Sequence, residues 1–368
     1  MKYMKMAAIA MMAFALFSCN NKKNEPKCED AVLRICINDA ELRALEAPVA
    51  AGTETTCMTD VVLKLDNGTE ITLEGQDLAD AKDLNKGYQK DINYVVNTVA
   101  LTANGKITDD TKITSLQGAD LKTVALEAPA TAVTATADGE KTVYTVTLEP
   151  KPVVARLEVG GKIKPAANGD KQAFQDITVE HVYINNYLST RAGARHMCVT
   201  NGKDGFAADP ALETAMNNEI KAADKDAFEK IEKVAGYQLF PIKKGETPTA
   251  PDYFDHVILK IKITYTQAAL DADPTLAQKT DRYVTIARFM KDATGDLDGG
   301  FLAGVIYKLD LNELSKDFKT GDDGKPDPDN PDTPDPEPNQ KKQLIVKVKP
   351  YTWTAQTIKP DVDGGYKK

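Results

Sequence analysis

The chain has 368 residues, of which 46 are basic and 55 acidic, and its formal net charge is −9. A chain of this length can bury one large core or two ordinary ones, because domains typically contain about 100 to 200 residues. The negative charge argues against a surface that binds nucleic-acid phosphates. Composition therefore predicts a two-domain protein with no nucleic-acid partner.

The first residues have the pattern of an export signal. Lys2 and Lys5 precede an apolar run from Met6 to Phe17. This run is too short for a membrane-spanning helix of about 20 residues and has the length of a signal-peptide core. We therefore predict that the protein is exported and that residues 1–18 are its signal peptide.

The end of this run resembles a bacterial lipobox, Leu16-Phe17-Ser18-Cys19, although Phe17 is bulkier than the usual residue. In a lipobox the cysteine receives a diacylglycerol and becomes the new N-terminus. Cys19 is thus the predicted lipidation site, and Asn20 resembles the following residue of lipoproteins sent to the outer membrane. The alternative is an ordinary signal peptide with an incidental cysteine.

The remaining cysteines define neither a metal site nor a disulfide framework. They are Cys28, Cys36, Cys57 and Cys198, with no CxxC motif and no Cys/His cluster among them. A zinc site is not favoured, and no cofactor is predicted. Disulfides can form outside the cytoplasm, so the pairing stays open.

Short segments that alternate apolar and polar residues predict strands through most of the interior. Asp66-Asn67-Gly68 separates two such segments and predicts a hairpin. The clearest strands run from Val257 to Tyr265 and from Val305 to Leu311. Only the stretch from Pro210 to Val234 has helical spacing, which predicts one amphipathic helix or two short ones packed on the core.

Proline-rich stretches mark the predicted boundaries. Glu149-Pro150-Lys151-Pro152 places a domain joint near residue 151, because proline removes ladder donors and restricts the residue before it. Residues 320–342 are rich in proline and aspartate and predict an extended linker. The predicted domains are residues 44–151 and 152–319, and residues 343–368 form a terminal segment beyond the linker.

The terminal segment contains a strand with no neighbour in sequence. Leu344, Val346 and Val348 alternate with Ile345 and two lysines. Further apolar anchors follow, namely Tyr351, Trp353 and Ile358. A lone strand is not stable by itself and must pair with an existing sheet edge. That edge belongs either to its own domain or to another molecule.

The order of these features resembles the fimbrillins, the type V pilins of the Bacteroidales. The resemblance is carried by the lipobox at Cys19, the strand Ala31 to Ile37 with Arg43 after it, the segment Pro152-Val153-Val154-Ala155-Arg156, and the ending from Val305-Ile306-Tyr307 through Trp353. It implies an all-β fold with minor helix. Two transthyretin-like β-sandwich domains would be followed by a C-terminal donor strand on the Pro/Asp-rich linker.

The resemblance also implies a route of maturation. Fimbrillins are cut by an arginine-specific protease, and here Arg43 has the expected position, with Ala44 as the new N-terminus. Cleavage would remove a lipidated propeptide, residues 19–43, with the first strand and its apolar residues Leu33, Ile35 and Ile37. The opened groove would accept the terminal strand of another subunit. Arg34 is a weaker cleavage candidate because it lies inside the apolar strand.

The implied function is that of a structural subunit of a surface fimbria, serving adhesion, coaggregation and biofilm formation. Its partners would be other copies of itself, accessory fimbrial subunits, the arginine-specific protease, host or bacterial surface receptors, and the outer membrane through the lipid before maturation. The location would change from the cell outer membrane to the surface fimbria.

An enzyme is not favoured, because the chain has three histidines and no nucleophile-elbow or phosphate-loop motif. The acidic stretch 292–299 resembles a calcium loop, but Val305 stands where the closing glutamate is needed. Two alternatives remain: a non-polymerising surface lipoprotein that binds glycan or host protein, and a fimbrial anchor subunit. The single tryptophan, Trp353, does not favour a glycan platform of stacked aromatics.

Overall fold

The computed structural model describes residues 31–38, 58, 60–117, 124–138, 141–196, 215–241, 255–292, 295–296, 301–312, 314, 318–323, 325, 344–347 and 350–352. Cys19, Arg43, Ala44, Val348, Trp353, Ile358 and most of the predicted linker lie outside these residues.

The first half of the described chain is built from strands β1 to β9. Their bounds are β1 Ala31–Ile37, β2 Val61–Leu65, β3 Glu70–Leu73, β4 Tyr88–Ile92, β5 Thr98–Ala103, β6 Leu126–Ala132, β7 Thr134–Asp138, β8 Lys141–Leu148 and β9 Lys151–Pro152. They form two sheets with the orders β4-β1-β8-β7 and β3-β2-β5-β6-β9. Helix α1, Gly75–Lys82, and a 3-10 turn, Ile113–Leu116, lie between strands.

The second half contains strands β10 to β21. Their bounds are β10 Ala155–Gly160, β11 Phe174–Asn185, β12 Tyr187–Leu188, β13 Arg195–His196, β14 Asn217–Glu219, β15 Ala235–Leu239, β16 His256–Tyr265, β17 Asp281–Asp292, β18 Gly295–Asp296, β19 Val305–Asp310, β20 Leu344–Lys347 and β21 Pro350–Thr352. One sheet has the order β15-β10-β19-β21. Another has the order β14-β11-β16-β17-β18, and β20 also pairs with β17 in this sheet. Strands β12 and β13 pair with each other. Among the described residues, helices α2 Lys225–Glu229 and α3 Gln267–Ala272 and a 3-10 segment, Pro274–Gln278, lie between these strands.

This architecture confirms the prediction of a mainly β fold with few helices. The hairpin predicted at residues 66–68 is the turn between β2 and β3, where Leu63 pairs with Ile71. Gly68 has a φ of 86°, a conformation that favours glycine. None of the described helices is long and apolar enough to cross a membrane.

The helical expectation for residues 210–234 is wrong in part. Residues 217–219 form β14, which pairs with β11, and the helix that follows spans only Lys225–Glu229. Phe228 is buried, as a core position should be. The backbone then reverses at Ile231, whose φ is 68°. A single long helix is therefore wrong, whereas the alternative of two short helices is confirmed in part: residue 215 is helical and Lys225–Glu229 is a second helix, with β14 between them. Residues 210–214 lie outside the described residues.

The two halves share one arrangement of strands. In the first half, β1 lies between β4, which runs antiparallel to it, and β8, which runs parallel. In the second half, β10 lies between the antiparallel β15 and the parallel β19. Each half therefore places its first strand inside a sheet and not at an edge.

The two halves are joined by specific polar contacts. The Arg191 guanidinium donates to both Glu127 carboxylate oxygens at 2.7 and 2.8 Å. Gln117 donates to the Gln238 carbonyl at 2.7 Å and accepts from its backbone N–H at 3.0 Å. An open cavity of about 780 Å³ lies beside the Arg191 contact.

Candidate functional site: the position of the first strand

Strand β1 lies between two other strands of its sheet. All seven residues pair in parallel with β8, from Ala31 with Thr142 to Ile37 with Leu148. Five of them also pair with β4 in the antiparallel sense, from Ala31 with Ile92 to Ile35 with Tyr88. Removing β1 would therefore leave β4 and β8 with unpaired edges facing the same groove.

The inward face of β1 belongs to the hydrophobic core. Leu33, Ile35 and Ile37 have no exposed surface, and Ala31 is 2% exposed. Burying a large apolar side chain contributes about 1.5–3 kcal/mol, so this face contributes several kcal/mol to the fold. These are the residues that the sequence analysis placed on the strand to be removed.

The outward face of β1 is held by a loop between α1 and β4. Arg34 donates through Nε to the Lys86 carbonyl at 3.0 Å, and through Nη2 to the Asn85 and Leu84 carbonyls at 2.6 and 3.2 Å. We call these three backbone oxygens, from residues 84, 85 and 86, the carbonyl cage. Cys36, a free and buried thiol, lies on the same side, with Sγ 3.8 Å from the Leu84 carbonyl.

The loop that carries the cage has a defined shape. The Asp83 side chain accepts from the backbone N–H groups of Asn85 at 3.0 Å and Lys86 at 3.4 Å, which turns the chain so that the carbonyls point toward β1. Gly87 has a φ of 68°, and a Cβ there would lie 2.9 Å from Arg34 Cγ and Nε. Glycine is needed at this position for both reasons.

An ion pair on the surface connects the loop that carries the cage to helix α1. Lys86 Nζ lies 2.5 Å from Asp80 Oδ2 on α1. This hydrogen bond lowers the pKa of the Asp80 carboxyl from its ordinary value. Since the pair is exposed, its contribution to stability is small, and it serves mainly to connect the cage loop to α1.

The terminal strands pair with sheets of their own chain. β20 runs parallel to β17, with Ile286 opposite Leu344 and Phe289 opposite Val346. β21 runs antiparallel to β19, with Ile306 opposite Tyr351. Of the two alternatives left open by the sequence, this monomer shows the return of the tail to its own second half.

Among the described residues, no group of three or more His, Cys, Asp or Glu side chains is placed to hold a metal ion. His181 Nδ1 lies 3.1 Å from the Asn217 side-chain oxygen, and its ring stacks on Tyr183 at 5.5 Å. His256 is buried, 1% exposed.

Sequence reasoning missed the role of Arg34. It treated Arg34 only as a poor cleavage site, whereas the side chain anchors a loop to the strand. The signal was available, because a charged group inside an apolar strand needs hydrogen-bond partners. The identity of those partners, three backbone carbonyls roughly fifty residues away, could not be read from side-chain patterns.

Comparisons with known proteins found similarity at the level of solved structures. No protein-family model matches the chain, and no curated protein matches it in sequence. The structures to which it is similar include Bacteroidales fimbrillins and cell adhesion candidates. A candidate cell adhesion protein from Bacteroides eggerthii is 14% identical, with a TM-score of 0.44, 93% of this chain covered and 100% of that one. A fimbrillin from Porphyromonas gingivalis is 12% identical, with a TM-score of 0.44, 89% of this chain covered and 99% of that one. The C-terminally truncated tip fimbrial protein of Porphyromonas gingivalis is 9% identical, with a TM-score of 0.31, 76% of this chain covered and 94% of that one.

Proposed function

We propose that this chain is a structural subunit of a surface fimbria that polymerises by strand exchange. It is exported as a lipoprotein anchored through Cys19 to the outer membrane and is then cut after Arg43. Cleavage releases β1, and residues 343–359 of another subunit take its place. Residues 44–151 and 152–319 form the two domains, and the linker 320–342 lets the terminal strand reach its acceptor.

The observation that carries this proposal is the position of β1. The strand is paired on both sides and contributes fully buried side chains to the core. The predicted cleavage site follows it in sequence and precedes β2. A cut there leaves β1 attached only by non-covalent contacts, so the strand can be exchanged for another of similar pattern.

The free energy gained by strand exchange can drive assembly without ATP. Loss of β1 exposes three large apolar side chains, at about 1.5–3 kcal/mol each, and ladder hydrogen bonds worth about 0.5–1.5 kcal/mol each. A strand bearing Leu344, Val346 and Val348 restores both contributions. Within the described residues β20 and β21 each pair on one side only, so a groove with two edges offers the terminal strand more ladder bonds.

The geometry of exchange predicts a filament. The terminal strand of one subunit fills the groove of the next, so donor and acceptor surfaces differ. Such a head-to-tail contact does not close on itself unless the rotation happens to close a ring. Each added subunit therefore presents a new free site.

The cleavage step is tested by N-terminal sequencing of protein shed from the cell surface, which should begin at Ala44. Arg43→Ala should leave lipid-bound monomers, since the groove stays occupied. Arg43→Lys is the matched control, because it blocks an arginine-specific protease yet is cut by trypsin, which should then restore assembly. Normal polymers from Arg43→Ala with an intact N-terminus would contradict the proposal.

A second candidate function is favoured by the pairing of β20 and β21 with their own sheets. A terminal strand that stays on its own domain fits a surface lipoprotein that binds glycan or host protein without polymerising. Truncation after Asn339 separates the two functions. A polymerising subunit should lose its heat-stable ladder of oligomers on truncation, and a ladder that persists would favour the second candidate.

A further inference from the structure

We propose that the carbonyl cage is a cation receptor that sets the register of the incoming strand, and that its ligand in the assembled fimbria is Lys347 of the next subunit. The inference rests on the proposed strand exchange and adds a specificity-determining residue to it. In the uncut chain the same receptor is occupied by Arg34.

The cage remains when β1 leaves. Its loop is shaped by Asp83 and Gly87 and is tied to α1 through Lys86, none of which belongs to β1. Three backbone carbonyls that accepted from one guanidinium then point into the groove without that donor. Backbone oxygens attract ammonium and guanidinium groups and offer nothing to an apolar side chain.

The terminal strand carries a matching pattern. Residues 31–37 read Ala-Val-Leu-Arg-Ile-Cys-Ile, and residues 344–350 read Leu-Ile-Val-Lys-Val-Lys-Pro. When the two run in the same direction with Lys347 at the position of Arg34, Leu344, Val346 and Val348 take the inward positions of Ala31, Leu33 and Ile35. Lys349 then takes the position of Cys36. Pro350 falls at Ile37, the last residue of the ladder, where a missing N–H is tolerated.

Other registers of the donor strand are disfavoured by burial of charge, by proline within the ladder or by an apolar residue at the cage. A shift of one residue sends both lysines into the core, because strand faces alternate with a period of two. A shift that places Lys349 at the cage puts Pro350 at Ile35, in the middle of the ladder. The opposite shift places Ile345 at the cage, where the backbone oxygens offer nothing to an apolar side chain; both that register and the proposed one place a lysine at the position of Cys36, so this position does not distinguish them.

The register predicts specific neighbours across the subunit contact. Arg34 pairs with Thr145 on β8 and with Gln89 on β4. Lys347 of the donor should therefore lie beside Thr145 of the acceptor, with both side chains on the same face of the sheet. Paired residues on adjacent strands have Cα separations that a disulfide can span.

The test is cysteine cross-linking in fimbriae assembled from the full chain after cleavage, with Cys57→Ser and Cys198→Ser as background. Thr145→Cys combined with Lys347→Cys should give a covalent ladder on a non-reducing denaturing gel, and reduction should abolish it. The matched controls are Thr145→Cys with Ile345→Cys and Thr145→Cys with Lys349→Cys, which should give none. Polymers that form without the Lys347 cross-link, or that cross-link equally through either control, overturn the register.

A second measurement tests the cage itself. Lys347→Met should lower the temperature at which the non-covalent ladder dissociates by more than Lys349→Met does, and Lys347→Arg should restore it. Equal effects of Lys347→Met and Lys349→Met would overturn the role of the cage. If the wild-type chain forms no polymer after cleavage, or if truncation after Asn339 leaves the ladder intact, strand exchange itself is overturned, and this outcome is distinguishable from a wrong register.

Discussion

The first strands of the two halves, β1 and β10, each lie between one antiparallel and one parallel strand, but their side chains are held in different ways. β10 is buried along all six residues and carries Arg156 and Glu158, which form an ion pair at 2.7 Å, while Lys308 on β19 approaches Glu158 at 3.5 Å. On β1 the inward face is equally buried, but the outward face is held by one loop through Arg34. The difference shows how one arrangement of strands serves a permanent core strand in one half and, as we propose, an exchangeable strand in the other.

The largest effect is expected from breaking the buried ion cluster of β10. Glu158→Ala leaves Arg156 and Lys308 without their carboxylate partner in a buried site, and such changes cost about 3–5 kcal/mol. The matched control is Glu180→Ala, since Glu180 pairs with Lys260 at 3.1 Å with about a third of each side chain exposed. That loss should be about 1 kcal/mol or less. Urea denaturation of both variants measures the difference, and similar losses would contradict the view that β10 is locked by buried charge.

The next largest effect tests whether β1 is absent from the assembled fimbria while β10 is retained. Ile35→Ala removes a fully buried side chain from β1 and should cost the uncut chain about 2–5 kcal/mol. If β1 is discarded on maturation, the assembled fimbria should have the wild-type dissociation temperature. Leu157→Ala, the matched change on β10, should weaken both the uncut chain and the fimbria. An Ile35→Ala fimbria as weak as the Leu157→Ala one would show that β1 stays in the assembled subunit.

The contrast between the halves was only partly predictable from sequence. Alternation of apolar residues predicted β1 and its inward face, because burial of one face imposes a period of two. It could not predict the parallel pairing with β8, which depends on a crossover through much of the first half. The short strand β14 was also missed, since Met216 directly before β14 and Phe228 in α2 are buried at a spacing that resembles that of a helix.

The second half should also respond to pH through a buried carboxyl. Burial raises the pKa of Asp255 to about 6, although Arg195 and His256 act in the opposite direction. The pKa of Asp255 in the folded protein therefore lies above its unfolded value of about 3.9, so the folded state favours the protonated carboxyl. The contribution of this group to the free energy of unfolding is fully present below about pH 3.9 and is lost as pH rises through about 6.

This dependence is measured by comparing wild type with Asp255→Asn, which cannot titrate. On going from pH 5 to pH 8, the unfolding free energy of wild type should fall relative to the variant, by about 1–3 kcal/mol. Urea denaturation at both pH values supplies the comparison. A difference between the two proteins that does not change with pH would show that Asp255 does not titrate in this range.

The smallest change in the free energy of unfolding is expected at Arg34, which holds the outward face of β1. Arg34→Met keeps the length and packing of the side chain but removes three hydrogen bonds to partly solvated carbonyls. Because water can replace part of what is lost, the cost should be about 0.5–1.5 kcal/mol, well below that of Glu158→Ala. The effect should also be local: hydrogen exchange of β1 amides in the uncut chain should accelerate, while exchange of β10 amides should not change. Arg34→Lys, which retains a cation, should recover most of the protection. If Arg34→Met leaves β1 exchange at the wild-type rate, the loop does not hold the strand, and the inward face alone keeps β1 in place.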